Sequence, residues 1–211
     1  MEKLDYKKKF KELYQPKEQP AVIDVPEISF IQIEGCGNPN DENGAYKSAV
    51  ETLYALSYAI KMMPKSGIAP ANYFEYVVPP LEGFWWFSDG SEYDCNRKSK
   101  FSWTSMIRQP EFVTGSVFAA ACDIVRKKKP HLDLSKASLN SFTEGLCVQC
   151  MHHGSYDDEP LTLSNMKSFM TNNNLSSDLS NLRRHHEIYL SDPRKTEATK
   201  MKTVLRLPVK Y

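Results

Sequence analysis

The chain has 211 residues, with 27 Lys+Arg against 26 Asp+Glu, and 41% of it is hydrophobic. That length makes one ordinary domain or two small halves, and it is enough to bury a sizeable core. A formal charge of +1 gives no field to draw the protein onto nucleic acid or acidic membranes. The most apolar stretch, 53–63, carries Lys61 and is too short to span a bilayer. Residues 1–11 are lysine-rich but lack the apolar centre of a signal peptide. A cytoplasmic location is expected, with no secretion and no membrane partner.

Residues 3–14 predict a short helix, with Leu4, Phe10, Leu13 and Tyr14 apolar among lysines. Pro16, Pro20 and Pro26 end it and mark an extended lead-in over 1–26. The main domain is then expected over 27–211. Residues 27–34 are rich in β-formers and stop at Gly35 and Gly37, which predicts a strand. A polar turn leads into a helix over 45–63, whose Ala49, Leu53, Leu56, Ile60 and Met63 keep the spacing of one buried face. Strands are expected over 73–78, 82–87 and 101–109.

A second cycle follows. Thr114 can cap a helix running to about Lys129, with Lys127, Lys128 and Lys129 in the last turn, where cations suit the helix dipole. Residues 141–152 predict a strand ending at Gly154. Asp157, Asp158 and Glu159 before Pro160 fit the start of a helix to about Asn173. Strands over 184–190 and 203–209 end the chain.

The two halves, about 27–110 and 111–211, echo one another. Their closing strands share an R-x-P, Arg108-Gln109-Pro110 and Arg206-Leu207-Pro208, at the same place in the same order of elements. Such a repeat predicts an α+β fold of duplicated βαββ modules with a pseudo-twofold axis and a central cleft, the usual place for a ligand.

Five cysteines without a secretory signal argue for reduced thiols. They are Cys36, Cys95, Cys122, Cys147 and Cys150. Cys147-x-x-Cys150, with His152 and His153 close behind, invites a zinc reading. On a strand, however, the two sulfurs point to opposite faces, and no second CxxC completes four ligands. No metal and no cofactor are expected. No G-x-S-x-G elbow, P-loop or dinucleotide glycine pattern occurs either.

Two segments stand out as chemistry. Glu82-Gly83-Phe84-Trp85-Trp86-Phe87 alternates so that Trp85 and Trp86 face opposite ways, and only one of them can lie under the helices. In His185-His186-Glu187-Ile188-Tyr189-Leu190 the apolar pair Ile188 and Leu190 assigns the face of His186 to helix packing. Glu187, His185 and Tyr189 are then expected on the cleft side. A carboxylate beside aromatics suits a general base or a cation anchor. Pairing of Glu187 with Arg108 or Arg206 is the structural alternative, and alternation leaves both open.

Four segments extend this reading. They are Pro80-Leu81-Glu82-Gly83-Phe84-Trp85-Trp86, the run from Trp103 to Phe112, the run from Met151 to Pro160, and the run from His185 to Arg194. Together they resemble the GyrI-like small-molecule-binding proteins, and specifically a stand-alone bacterial branch. The resemblance covers most of 20–211 and implies two βαββ modules around a cleft. Members include effector-binding domains of multidrug-responsive activators and a small inhibitor of DNA gyrase. An acidic residue at the position of Glu187 is associated there with binding cationic or aromatic drugs. The branch also includes hydrolases that open the cyclopropane ring of DNA-alkylating natural products.

The resemblance makes Glu187 the expected catalytic base. Trp85, Trp103, Tyr156, Tyr189, Glu82 and Tyr46 form the expected ligand-binding set. Only 26 residues precede the first expected strand, too few for the helix-turn-helix of the activators, so no direct DNA binding is expected. The expected partner is a small molecule, and the expected state is a monomer or homodimer.

Overall fold

The computed structural model of the chain describes residues 3–91, 94 and 97–211. The lead-in forms two single turns, α1 (Tyr6–Lys9) and α2 (Lys11–Tyr14), in place of one helix. Phe10 interrupts them at φ −112°, ψ 61°. This turn brings the Phe10 ring beside Tyr6, and the Arg108 guanidinium lies over both at 4.4 and 4.5 Å.

Strand β1 (Ala21–Cys36) begins six residues earlier than the sequence suggests. Its register with β4 passes over Pro26, and its pairing with β3 begins only at Phe30. The missing proline N–H therefore interrupts one ladder rather than two. Helix α3 (Ala45–Met62) follows, then β2 (Leu81–Phe87), β3 (Phe101–Arg108) and α4 (Gly115–Lys128). The second half runs β4 (Ala137–His153), α5 (Glu159–Asn172), β5 (Ser176–Ser177), β6 (His185–Tyr189) and β7 (Lys202–Lys210).

The expected strand over 73–78 is a correction. That segment makes a single parallel bridge, Tyr76 to Leu4. Tyr73, Phe74 and Tyr76 pack around Phe112 instead. Aromatic packing and the lead-in hold this segment, so no ladder forms.

The strands are ordered β4-β1-β3-β2-β6-β7, and a further β4–β7 pairing closes the sheet on itself, with β5 on β7. Every pairing among these named strands is antiparallel. The order strand, helix, strand, strand runs over β1-α3-β2-β3 and again over β4-α5-β6-β7, apart from the two-residue β5. In each run the last long strand lies between the other two.

The outer face of this barrel-like sheet carries the helices. Leu53, Leu56 and Ile60 of α3 are fully buried, each worth about 1.5–3 kcal/mol of hydrophobic stabilisation. Met166 and Met170 of α5 cover Val148, Cys150, Leu205 and Leu207. The other face takes the lead-in, where Tyr6, Leu13 and Tyr14 are buried. Arg206 donates to the Leu13 carbonyl at 3.1 Å, and Gln149 donates to the Glu12 carbonyl at 2.6 Å.

Cys147 and Cys150 lie on opposite faces of β4. Cys150 packs under α5, while Cys147 sits near Arg183. Both are free thiols, and burial pushes each up to about 12, so neither is a ready nucleophile at neutral pH. Cys36 and Cys122 are also free. Cys95 lies outside the described residues. Among the described residues no helix is long and apolar enough to cross a membrane.

Candidate functional site: an aromatic cleft floored by Glu187

Glu187 sits in the middle of β6, directly opposite Gly83 of β2. The pairing puts Trp85 opposite His185, so Trp85, His185, Glu187 and Tyr189 share one face. That face is the helix-bearing one, which corrects the expectation that Glu187 points away from the helices. The lead-in covers the face of His186 and Ile188, and the cleft lies on the side of α3 and α5.

A hydrogen-bonded chain organises the floor. Trp85 Nε1 donates to the Tyr189 hydroxyl at 2.7 Å, which donates to Glu187 Oε2 at 2.8 Å. His185 Nε2 lies 3.1 Å from Glu187 Oε1. Glu187 is only 4% exposed, yet it lines the cleft.

Gly83 makes the chain fit. A Cβ there would stand 3.0 Å from Trp85 Nε1 and 3.3 Å from the Tyr189 hydroxyl. Any side chain would push against the bond between them.

The walls are aromatic. Tyr46, from the first turn of α3, packs against Trp85 with ring centroids 5.4 Å apart. Tyr156, from the turn before α5, meets Tyr189 edge-on at 5.7 Å. Burial and then the Glu187 carboxylate push the Tyr189 phenol far above its usual range. Burial likewise raises Tyr46 and Tyr156. All three are therefore neutral at physiological pH and can donate hydrogen bonds. The cleft they line has a volume of about 1370 Å³ and runs outward along α3 past Tyr54 and Tyr58.

The expected site residues divide. Trp85, Tyr46, Tyr156, Tyr189 and Glu187 all line this cleft. Trp103 does not. It is 1% exposed, Tyr46 lies edge-on to it at 5.1 Å, and its ring lies flat over Gly35, where a Cβ would come within 2.3 Å. It therefore supports Tyr46 from behind.

Glu82 is on the opposite face. It accepts from the Tyr14 hydroxyl at 3.2 Å and pairs with His186 Nε2 at 3.1 Å. The arginine alternatives for Glu187 also fall there, because Arg206 pairs with Glu144 at 2.8 Å and Arg108 with Glu111 at 3.8 Å. Trp86 faces away from the cleft, with Arg184 over its ring at 4.6 Å.

Glu159 belongs with the site, although the sequence marked it only as a helix start. It is fully buried at the beginning of α5. Glu159, His185 and Glu187 each offer one ligand atom within 4.8 Å of the others, and this is where the chain could gather around a divalent cation.

A closed antiparallel sheet with helices on one face, opening between them into an aromatic cleft with a buried acid, defines a small-molecule-binding α+β protein. Residues 18–210 match the GyrI-like small molecule binding domain, and the chain belongs to that family. A crystal structure of an uncharacterized conserved protein from Listeria innocua is 46% identical, covers 99% of this chain and all of its own, and superposes with a TM-score of 0.93. Two crystal structures called hydrolases from the same organism are 45% and 46% identical over the same share of each chain, with TM-scores of 0.89 and 0.91. No curated protein matches the chain significantly.

Proposed function

We propose that the protein binds hydrophobic, aromatic or cationic small molecules in the cleft and hydrolyses cyclopropane-containing DNA-alkylating toxins there. Glu187 takes a proton from water, and the water oxygen bonds to the strained ring carbon. The ring C–C bond breaks, and its electron pair ends on the dienone oxygen, which takes up a proton to become a phenol. The balance is the addition of one water.

Neutral Tyr46 or Tyr156 can donate to that oxygen as charge develops on it. A positioned base supplies about 10²–10⁴-fold, a useful share when ring strain already lowers the barrier. The observation that carries the reading is the buried Glu187 carboxylate on the cleft floor, fixed by Tyr189 and bordered by aromatic rings. The hydrolase names of the two related structures support it.

Sequestration without turnover is the second reading. It draws on the cleft volume of about 1370 Å³, above the roughly 300–1,000 Å³ of most small-molecule sites. Incubation with a cyclopropane-containing alkylator, followed by mass spectrometry, separates the two. A product heavier by one water is expected. A ligand that binds but keeps its mass leaves sequestration.

A further inference from the structure

We propose that Ser105 is a positioning residue for the hydrolysis, holding the Tyr46 hydroxyl toward the oxygen on which negative charge develops. The inference rests on the hydrolase reading above and chooses between the two phenols which that reading allows.

Glu187, Gly83 and Ser105 stand directly opposite one another on β6, β2 and β3, so they form one row on the cleft side of the sheet. Gly83 carries no side chain, and the space above it is left to its neighbours. The Tyr46 ring is fixed by two tryptophans, Trp85 at 5.4 Å and Trp103 at 5.1 Å. Ser105 is fully buried, and its hydroxyl makes no hydrogen bond. A buried polar group in that condition calls for a reason. The Tyr46 phenol meets it: burial raises that phenol, while the Ser105 and Tyr189 hydroxyls draw it down. The three hydroxyls therefore converge above Gly83. Tyr189 accepts from Trp85 and donates to Glu187, so its proton is committed. Ser105 is left to donate to the Tyr46 oxygen, and Tyr46 then turns its own proton into the cleft. No hydroxyl acts on Tyr156 in this way; burial and nearby acidic groups raise it.

As the ring C–C bond breaks, its electron pair ends on the dienone oxygen, and the Tyr46 hydroxyl donates to that oxyanion. The Ser105 bond closes as the charge draws the Tyr46 proton outward, and a hydroxyl whose oxygen accepts a hydrogen bond is the stronger donor. The proton of Tyr46 stays on Tyr46. Glu187 returns to solvent the proton it took from water as the product oxygen is protonated, so one water is added overall.

The alternative is a buried hydroxyl without a role, whose removal costs nothing. Ser105→Ala, Tyr46→Phe and the double variant separate the two on a pair of spirocyclopropyl cyclohexadienones, one carrying an electron-withdrawing ring substituent. The proposal predicts that Tyr46→Phe lowers kcat about 10²-fold. Ser105→Ala should lower it about 3–10-fold, with KM and melting temperature unchanged, and should add nothing in the Tyr46→Phe background. Both losses should shrink on the substituted substrate, whose phenolate needs less help; a packing defect would not tell the two substrates apart. An unchanged kcat in Ser105→Ala, or losses equal on both substrates, overturns the role of Ser105 and leaves the hydrolase reading standing. An unchanged kcat in Tyr46→Phe also overturns it and hands the oxyanion to Tyr156. Binding without turnover in the unmutated protein removes the hydrolase reading, and the role of Ser105 with it.

Discussion

Strands β2 and β6 present a carboxylate on each face, and the two are held in opposite ways. On the lead-in side, Glu82 and Glu144 face His186 and Arg206, two acids against two cations, all at most 5% exposed. Each ring nitrogen of His186 lies 3.1 Å from a carboxylate, which only the imidazolium satisfies at both. On the helix side, Glu187 is held by a phenol, an indole-linked chain and the His185 ring at 3.1 Å, with no arginine among the described residues paired to it in the same way, and remains open to a cleft. The first arrangement satisfies its charges among themselves and fixes the lead-in. The second leaves a carboxylate in contact with whatever enters. Neighbouring positions on one pair of strands thus separate structure from chemistry.

The largest effect expected from breaking this contrast lies on the closed face. Glu144→Gln removes the charge shared by Arg206 and His186, and loss of one partner from a buried network costs about 3–5 kcal/mol, measurable by urea unfolding. The same network sets a pH window. Burial opposes ionisation of Glu144, but His186 and Arg206 outweigh it and hold the carboxyl down at about 2. Its contribution is complete above pH 4.5 and is lost as pH falls toward 2, a change of about 3 kcal/mol. His186 is raised, because Glu144 and Glu82 outweigh burial. Its contribution is complete below pH 6.5 and is lost as pH rises through the raised value. The network should therefore contribute most between pH 4.5 and 6.5, and Glu144→Gln should remove the acid limb.

A smaller effect is expected on the cleft side. Gly83→Ala should cost about 1–3 kcal/mol by overpacking Trp85 and Tyr189, and it should weaken ligand binding as well as stability. A variant with normal stability and normal affinity would mean that the Trp85–Tyr189 bond does not shape the floor.

Much of this was legible in the residues. The apolar stripe of α3 follows from spacing. Alternation correctly grouped Glu187 with His185 and Tyr189. Alternation tells which residues share a face, however, and not what covers it. Ile188 suggested helix packing, yet the lead-in covers that face, because its buried Tyr6, Leu13 and Tyr14 need long-range partners that no local pattern reveals. The position of Glu82 could have been read, since it stands an odd number of residues from Trp85 and must face the other way. Trp103 does share the face of Trp85, but Tyr46 of α3 lies over it, a contact between distant segments. Glu159 looked like a first-turn acid, and only the β6–α5 approach brings it near His185.

Glu187→Gln tests the central claim most directly, with turnover of a cyclopropane-containing alkylator, ligand affinity and melting temperature measured on the same protein. The substitution keeps size and an acceptor for Tyr189 while removing charge and basicity. The account predicts turnover down by about 10²-fold or more with affinity for neutral aromatic ligands and melting temperature little changed. Turnover, affinity and stability all equal to those of the unmutated protein would contradict it and take Glu187 out of the site.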